Sequence, residues 1–150
     1  MNRTRNILLW GILTLFWTGL IFWFSLQPAA ESASLSGGLL NQLLDWIYAV
    51  TTIRIPAENV HWLFRKTAHF GEFFLLGIFS GNMFFGIWKK VLPALLYGGG
   101  IAILDECLQF VTGEGRAMRV SDMLLDFFGV FCAVLLLLFM KRFRQTKKSR

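Results

Sequence analysis

Four long apolar runs, each with few or no charged side chains, limit what this chain can fold into. The first run covers residues 7–26 and holds no charged side chain over 20 residues. An α-helix rises about 1.5 Å per residue, so a run of that length crosses the roughly 30 Å hydrocarbon core of a bilayer. The other runs cover residues 67–88, 91–110 and 123–140. The pattern predicts an all-α integral membrane protein with four transmembrane helices.

The composition supports the same class of protein. Apolar residues make up 55% of the chain and charged residues only 16%, whereas about a quarter of an ordinary soluble domain is charged. The first run is also longer than the apolar region of a signal peptide, which covers about 7–15 residues, so we expect it to be retained as a helix. At 150 residues the chain has the length of one domain, and residues 1–150 are predicted to form a single membrane domain.

The positive charges are concentrated beside the predicted spans. The net charge is +6, and ten of the Lys and Arg residues lie near the N-terminus, in the loop between the second and third spans, or beyond residue 140. All nine acidic residues lie elsewhere. The positive-inside rule then predicts that both termini are cytoplasmic, with anionic membrane lipids as neighbours of the basic segments. Because the basic residues flank spans and no recognition module is visible, we expect no binding to nucleic acid.

The segments between the spans also give predictions. Small residues dominate 29–38, which indicates an extracytoplasmic loop. Residues 39–50 place apolar side chains at helical spacing and predict a short amphipathic helix between the first two spans. Because it is too short to cross the bilayer, this helix either lies on the outer surface or dips in as a re-entrant segment. A helix is predicted from 57 through 88, and residues 141–150 are predicted to be a disordered, basic cytoplasmic tail.

The predicted topology brings polar residues to one depth. The second span starts outside, the third ends outside and the fourth starts outside. The polar residues that then meet near the outer leaflet are Lys66, His69, Glu72, Asp105, Glu106, Gln109, Arg116, Asp122 and Asp126. An ionised side chain at the centre of a membrane helix costs roughly 2.5–3.5 kcal/mol on the insertion scale, so such groups usually face a protein interior and often mark a functional site. We therefore predict one outward-facing polar site.

Several short motifs carry these residues. They are, in order, Ser25-Leu26-Gln27-Pro28, Arg65-Lys66-x-x-His69-Phe70-x-Glu72-Phe73, Asp105-Glu106-x-x-Gln109-Phe110, Gly115-Arg116, Asp122 and Asp126-x-x-Gly129. In this set the chain resembles the VanZ-like family, membrane proteins named for a teicoplanin-resistance protein. Two positions depart from the family pattern: Phe73 stands where tyrosine is more common, and Cys107 where an aliphatic residue is usual. The resemblance implies a bacterial inner or plasma membrane location and a link to the cell envelope and to glycopeptide tolerance, without supplying a mechanism.

One interpretation of the site is acid–base chemistry on a lipid-linked or anionic envelope substrate. The imidazole would transfer a proton near neutral pH, with a carboxylate orienting it or acting as the base. The catalytic candidates are therefore His69, Glu72, Asp105, Glu106 and Asp122. The cations would hold a phosphate, and Arg suits bidentate contact with it. The substrate-binding candidates are Lys66, Gln109, Arg116 and Asp126.

Three other interpretations use the same residues. A metal ion could be held by oxygen and imidazole ligands drawn from His69, Asp105, Glu106, Asp122 and Asp126. The protein could bind a lipid headgroup or an antibiotic, or carry a lipid between leaflets, without any reaction. The polar groups could also be a structural network of salt bridges that holds four helices together. The residues alone do not decide whether the protein is an enzyme.

Overall fold

A computed structural model of the chain describes residues 3–112 and 118–148. Within these ranges the chain forms five α-helices and no strand. Their bounds are α1 Arg3–Ser25, α2 Ala29–Thr51, α3 Ala57–Trp88, α4 Leu92–Val111 and α5 Val120–Lys148. All except α2 are long and apolar enough to cross a membrane, and the spanning part of α5 is Val120–Phe143. The predicted all-α architecture is confirmed, and it contains four helices long and apolar enough to be the predicted spans.

Side-chain contacts fix the directions of the spanning helices. Arg3, at the start of α1, donates a hydrogen bond to the carbonyl oxygen of Gly86 near the end of α3 (3.0 Å). The hydroxyls of Thr18 on α1 and Tyr97 on α4 lie 2.8 Å apart. The hydroxyl of Thr112, just past the end of α4, donates to the carbonyl oxygen of Ser25 at the end of α1 (3.3 Å). Lys66 of α3 pairs with Asp122 at the start of α5, and Gly77 faces Ala133 further along both helices. Thus α1 and α4 run in one direction, and α3 and α5 run in the other. The end of the bundle that holds Arg3 and Lys141 is called the basic end, and the end that holds Asp105 and Asp122 is called the acidic end.

The interior of the bundle is narrow and apolar. Phe73 and Leu76 of α3 are fully buried against Val130 and Val134 of α5, with Ile21 of α1 in the same cluster. Large apolar side chains also point outward along the spans. Leu15 is 71% exposed, for example, and a soluble protein rarely shows a continuous surface of this kind. A bilayer covers such a surface, which agrees with the four spans.

The helices α3 and α5 are in backbone contact. A Cβ atom added at Gly77 would lie 2.7 Å from the Cβ of Ala133, and one added at Gly129 would lie 2.7 Å from the carbonyl oxygen of Phe70. Any larger side chain at these positions would push the helices apart. Gly77 and Gly81, one turn apart on α3, both lie against α5, and small residues often allow such close packing between membrane helices.

The segment between the first two spans differs from the prediction. The loop predicted over residues 29–38 is wrong, because α2 begins directly after Pro28 and continues to Thr51. Proline is well suited to the start of a helix, and alanine and serine in the first turns do not oppose one. Gly37 and Gly38 cost about 1 kcal/mol each relative to alanine, which packing of the helix against α3 can offset. The short helix predicted over 39–50 is therefore the second half of a longer one.

The C-terminal segment also differs. Residues 141–150 were predicted to be disordered, yet α5 continues without a break to Lys148. Neither proline nor glycine occurs between residues 130 and 148 to end the helix. Lysine, arginine and glutamine are good helix formers, and positive charges near a helix C-terminus interact favourably with its dipole. The basic segment therefore extends the last span as a helix.

Candidate functional site

Three helices bring the predicted polar residues to the acidic end. The residues concerned are Lys66, His69 and Glu72 on α3, Asp105, Glu106 and Gln109 on α4, and Asp122 and Asp126 on α5. Arg116, the remaining candidate, lies outside the described residues. Because α3 and α5 start at this end and α4 finishes there, side chains far apart in sequence lie within contact distance.

Two buried carboxylates and one half-buried imidazole form the centre of the site. The Nδ1 atom of His69 lies 3.8 Å from Oδ1 of Asp126. One possible ligand atom from each of His69, Asp105 and Asp126 lies within 4.8 Å of the others, so these three residues are the described set that could share a metal ion. Asp105 is 1% exposed and Asp126 is 0% exposed.

The carboxylate of Asp126 is in an unfavourable environment. Neither of its oxygens accepts a hydrogen bond from a described residue. An ionised carboxylate in such a place is costly unless a positive charge or a proton compensates it. His69 could supply either, since a protonated imidazole would face Asp126 across 3.8 Å. The pair therefore has the elements of a proton-exchanging site.

Asp105 is held by hydrogen bonds from two helices. The hydroxyl of Ser25, the last residue of α1, donates to Oδ1 of Asp105. The side-chain amide of Gln109, one turn further along α4, donates to Oδ2 of the same carboxylate at 2.7 Å. With an oxygen fixed on each side, this carboxylate has a defined orientation. Ser25 was not among the predicted site residues, although it belongs to the Ser25-Leu26-Gln27-Pro28 motif.

Two other acidic residues connect helices. Lys66 of α3 forms an ion pair with Asp122 in the first turn of α5, and their side chains are 19% and 15% exposed. Glu106 of α4 accepts a hydrogen bond from the backbone N–H of Arg119 at 2.8 Å, just before α5 begins. The positive charge of Lys66 is therefore already paired, and Glu106 holds the entry to α5.

A cavity of about 160 Å³ opens beside the central group. Its polar wall includes His69, Glu72, Asp105 and Gln109. The facing wall is formed by α2, with Ser32 and Ser36 among its polar residues and Leu35 and Leu39 among its apolar ones. The helix that the sequence predicted only in part thus closes the site from one side.

Arg65 is a lining cation that was not among the predicted site residues. It lies on the cavity wall together with the half-buried His69. The two residues are four apart on α3, which places them on one face of the helix. The spacing of four residues could have indicated that Arg65 shares the face of His69. Lys66, the next residue, lies about 100° away around the helix and faces α5 instead.

The sequence that forms this site matches a known protein family. The family model described as VanZ/LLP1 matches residues 10–141, which include every candidate residue of the site. Searches of curated proteins and of solved structures give no match. The family match agrees with the resemblance seen in the short motifs.

Proposed function

Because the chain belongs to the VanZ/LLP1 family, we propose that it acts in the bacterial cell membrane on a lipid-linked or anionic component of the envelope. The site of action is the cavity at the acidic end. The reaction class is acid–base chemistry, and the family resemblance connects it with tolerance to glycopeptides such as teicoplanin. The observation that carries the proposal is that His69 lies on the wall of that cavity and has a ring nitrogen within 4.8 Å of carboxylate oxygens of the buried Asp105 and Asp126.

The orientation follows from the charges. Arg3, Lys89, Lys90 and Lys141 all belong to the basic end, and the positive-inside rule assigns such an end to the cytoplasm. The acidic end and its cavity then face the outer leaflet. This orientation gives the site access to lipid-linked precursors and to the external medium.

The proposed chemistry uses three side chains. His69 exchanges a proton with the substrate, and the carboxylate of Asp126 compensates the imidazolium charge that forms. Asp105, fixed by Ser25 and Gln109, serves as the oriented base. Positioned acid–base groups of this kind typically contribute about 10²–10⁴ to a reaction rate.

The shape and charge of the cavity favour a lipid headgroup as substrate. Arg65 supplies a lining cation for an anionic group, whereas Lys66 is engaged by Asp122. Phe64 and Leu39 offer apolar contact for a chain that leaves the cavity. Sites for drug-sized ligands usually measure about 300–1,000 Å³, so a cavity of about 160 Å³ suits a phosphate-sized group better than a whole glycopeptide. The proposed link to teicoplanin therefore runs through the envelope lipid and does not require the antibiotic to enter.

Binding or transfer of a headgroup without reaction is the second candidate function. Two internal contacts favour it: Lys66 pairs with Asp122, and Glu106 accepts a hydrogen bond from the backbone of Arg119. These three side chains are thus engaged within the protein and are not available to react with a substrate. A site with those groups already satisfied could still hold an anionic headgroup through Arg65. Both functions use Arg65, but only the first requires His69, so they can be separated.

The experiment compares purified wild type with His69→Gln, Arg65→Gln and Asp45→Asn in bilayers of bacterial envelope lipid extract. Asp45→Asn is the control, because it removes an exposed carboxylate from α2 outside the cavity. Lipids are followed over time by mass spectrometry. A new species made by wild type and the control but not by His69→Gln would establish an enzyme. An unchanged lipid that is retained by wild type and His69→Gln and lost from Arg65→Gln would establish binding. If all four proteins give the same lipid profile, both candidates are overturned.

A further inference from the structure

A second cavity lies at the basic end, at the opposite end of the bundle from the candidate site. Its volume is about 350 Å³. Three cations from three helical segments line it: Arg3 of α1, Lys89 at the end of α3 and Lys141 of α5. No acidic residue is among its described lining, and none of the three cations forms a salt bridge with a described residue. The cavity is therefore strongly positive.

The cations are held around the ring of Phe85. The Nζ atom of Lys141 lies 3.4 Å from the ring centroid, and that of Lys89 lies 5.6 Å from it. Arg3 donates to the carbonyl oxygens of Gly86 and Ile87 at 3.0 and 3.5 Å, which fixes its guanidinium at the end of α3. Cation–π contacts compensate part of the charge but leave the ammonium donors available. The cavity thus presents several hydrogen-bond donors on positively charged groups, and no acidic residue of its described lining pairs with them.

The backbone at Lys89 is a second, independent observation. This residue ends α3 with φ at 58°, in the left-handed region. Glycine is the usual residue at such a helix end, and a residue with a side chain is disfavoured there. The chain nevertheless has a lysine at this position, and its side chain lines the cavity. A cation therefore lines the cavity from a backbone position where glycine is the usual residue.

The cavity also becomes apolar with depth. Arg3, Asn6 and Trp10 follow one another along α1, and Trp10 lies seven residues beyond Arg3, about 10 Å deeper at a helical rise. Ile7 contributes a second apolar wall. Between the two zones, the side-chain oxygen of Asn6 is buried and accepts no hydrogen bond from a described residue. The order of charge at the end of the bundle and apolar wall deeper in it matches a phospholipid phosphate followed by its glycerol backbone and chains.

We propose that the basic-end cavity binds the phosphate of an anionic phospholipid of the phosphatidylglycerol class. The phosphate contacts Lys89 and Lys141, and the glycerol backbone and upper acyl region pack on Ile7 and Trp10. A free phosphate ion would use the cations only and would leave the apolar wall unused. The site is distinct from the acidic-end cavity and does not depend on the function proposed there.

The test measures lipids retained by the full-length protein. Wild type, Lys89→Gly, the double variant Lys89→Gly/Lys141→Gln and Lys90→Gln are purified in neutral detergent and titrated with phosphatidylglycerol or phosphatidylcholine, with native mass spectrometry as the readout. Lys90→Gln is the matched control, because it removes one charge from the same loop at an exposed position outside the cavity lining. Lys89→Gly removes a cation while giving the left-handed position its preferred residue, so its unfolding temperature is not expected to fall.

The proposal expects wild type and Lys90→Gln to retain phosphatidylglycerol in preference to phosphatidylcholine. Because a lost charge-assisted hydrogen bond weakens binding by about tenfold or more, Lys89→Gly should bind phosphatidylglycerol about tenfold more weakly and the double variant more weakly still. Equal retention of the two lipids, or equal loss in Lys90→Gln, would overturn the site. Addition of inorganic phosphate separates the two sources of the anion. Complete displacement of the lipid by millimolar phosphate would overturn the lipid assignment in favour of a free phosphate.

Discussion

Replacing Gly129 by alanine is expected to separate α3 from α5 and to open the site that the two helices share. A Cβ atom at this position would lie 2.7 Å from the carbonyl oxygen of Phe70 and 3.0 Å from the backbone nitrogen of Phe74. Ordinary van der Waals contact begins at 3.4 Å, so the shortest of these distances is too small by 0.7 Å. Both neighbours are backbone atoms, which cannot rotate away as a side chain can. The helices themselves must move.

The expected cost follows from that geometry. Overpacking of a well-packed interior typically costs about 1–3 kcal/mol, and we expect Gly129→Ala to fall in this range. The same movement affects function, because Gly129 lies three residues beyond Asp126 and its contact Phe70 is adjacent to His69. The His69–Asp126 distance, 3.8 Å in the intact protein, would increase. Stability and the lipid readout of the acidic-end cavity should therefore fall together.

The assay is unfolding in mixed micelles with increasing sodium dodecyl sulfate, followed by circular dichroism. Gly100→Ala is the matched control, since nothing lies within 4 Å of a Cβ added at Gly100. This control should be neutral or stabilising by up to about 1 kcal/mol, because alanine is a better helix former than glycine. If the two variants unfold at the same detergent fraction, the backbone contact between α3 and α5 is not as described and the reasoning fails.

Three further predictions concern the acidic end. Each of the variants Lys66→Gln and Asp122→Asn should lower the free energy of unfolding by about 1–3 kcal/mol, because it leaves a partly buried charge unpaired. A double-mutant cycle of the two should show a coupling energy of at least about 0.5 kcal/mol. Strictly additive losses would argue against the ion pair. Asp126→Asn removes a buried carboxylate whose oxygens accept no hydrogen bond from a described residue, so the free energy of unfolding should change by no more than about 1 kcal/mol. The same variant should abolish product formation or lipid turnover. Full activity would exclude a proton-transfer role for Asp126. Ser32→Phe should fill the cavity from the α2 side and block lipid access without changing the unfolding transition, and unimpaired lipid access would mean that substrate does not enter there.

The four spans could be predicted because the bilayer leaves few alternatives. A membrane-crossing segment must satisfy its own backbone hydrogen bonds, so about 20 apolar residues read directly as a helix. The same constraint predicts that successive spans alternate in direction. This alternation brings His69 of α3, Asp105 of α4 and Asp126 of α5 to one end of the bundle, where the structure has them within contact of one another.

Other features depend on contacts that periodicity does not reveal. The first half of α2 contains serine, alanine and two glycines, a composition equally compatible with a loop, and its helical form is stabilised by packing against α3. Arg65 and Lys66 are adjacent, and only the position of Asp122 decides which of them faces α5 and which lines the cavity. The extension of α5 beyond residue 140 was missed because a dense run of charges reads as a solvated tail whether or not it is helical.

The parallel contact between α3 and α5 has a consequence for how the protein is made. These two helices pack backbone to backbone, yet α4 separates them in the sequence, so α3 enters the membrane well before its partner is synthesised. Until α5 follows, Lys66 has no Asp122 and Gly77 faces no Ala133. An incomplete chain therefore displays an uncompensated cation and a bare glycine surface within the bilayer. Only the finished chain pairs that cation and covers that surface.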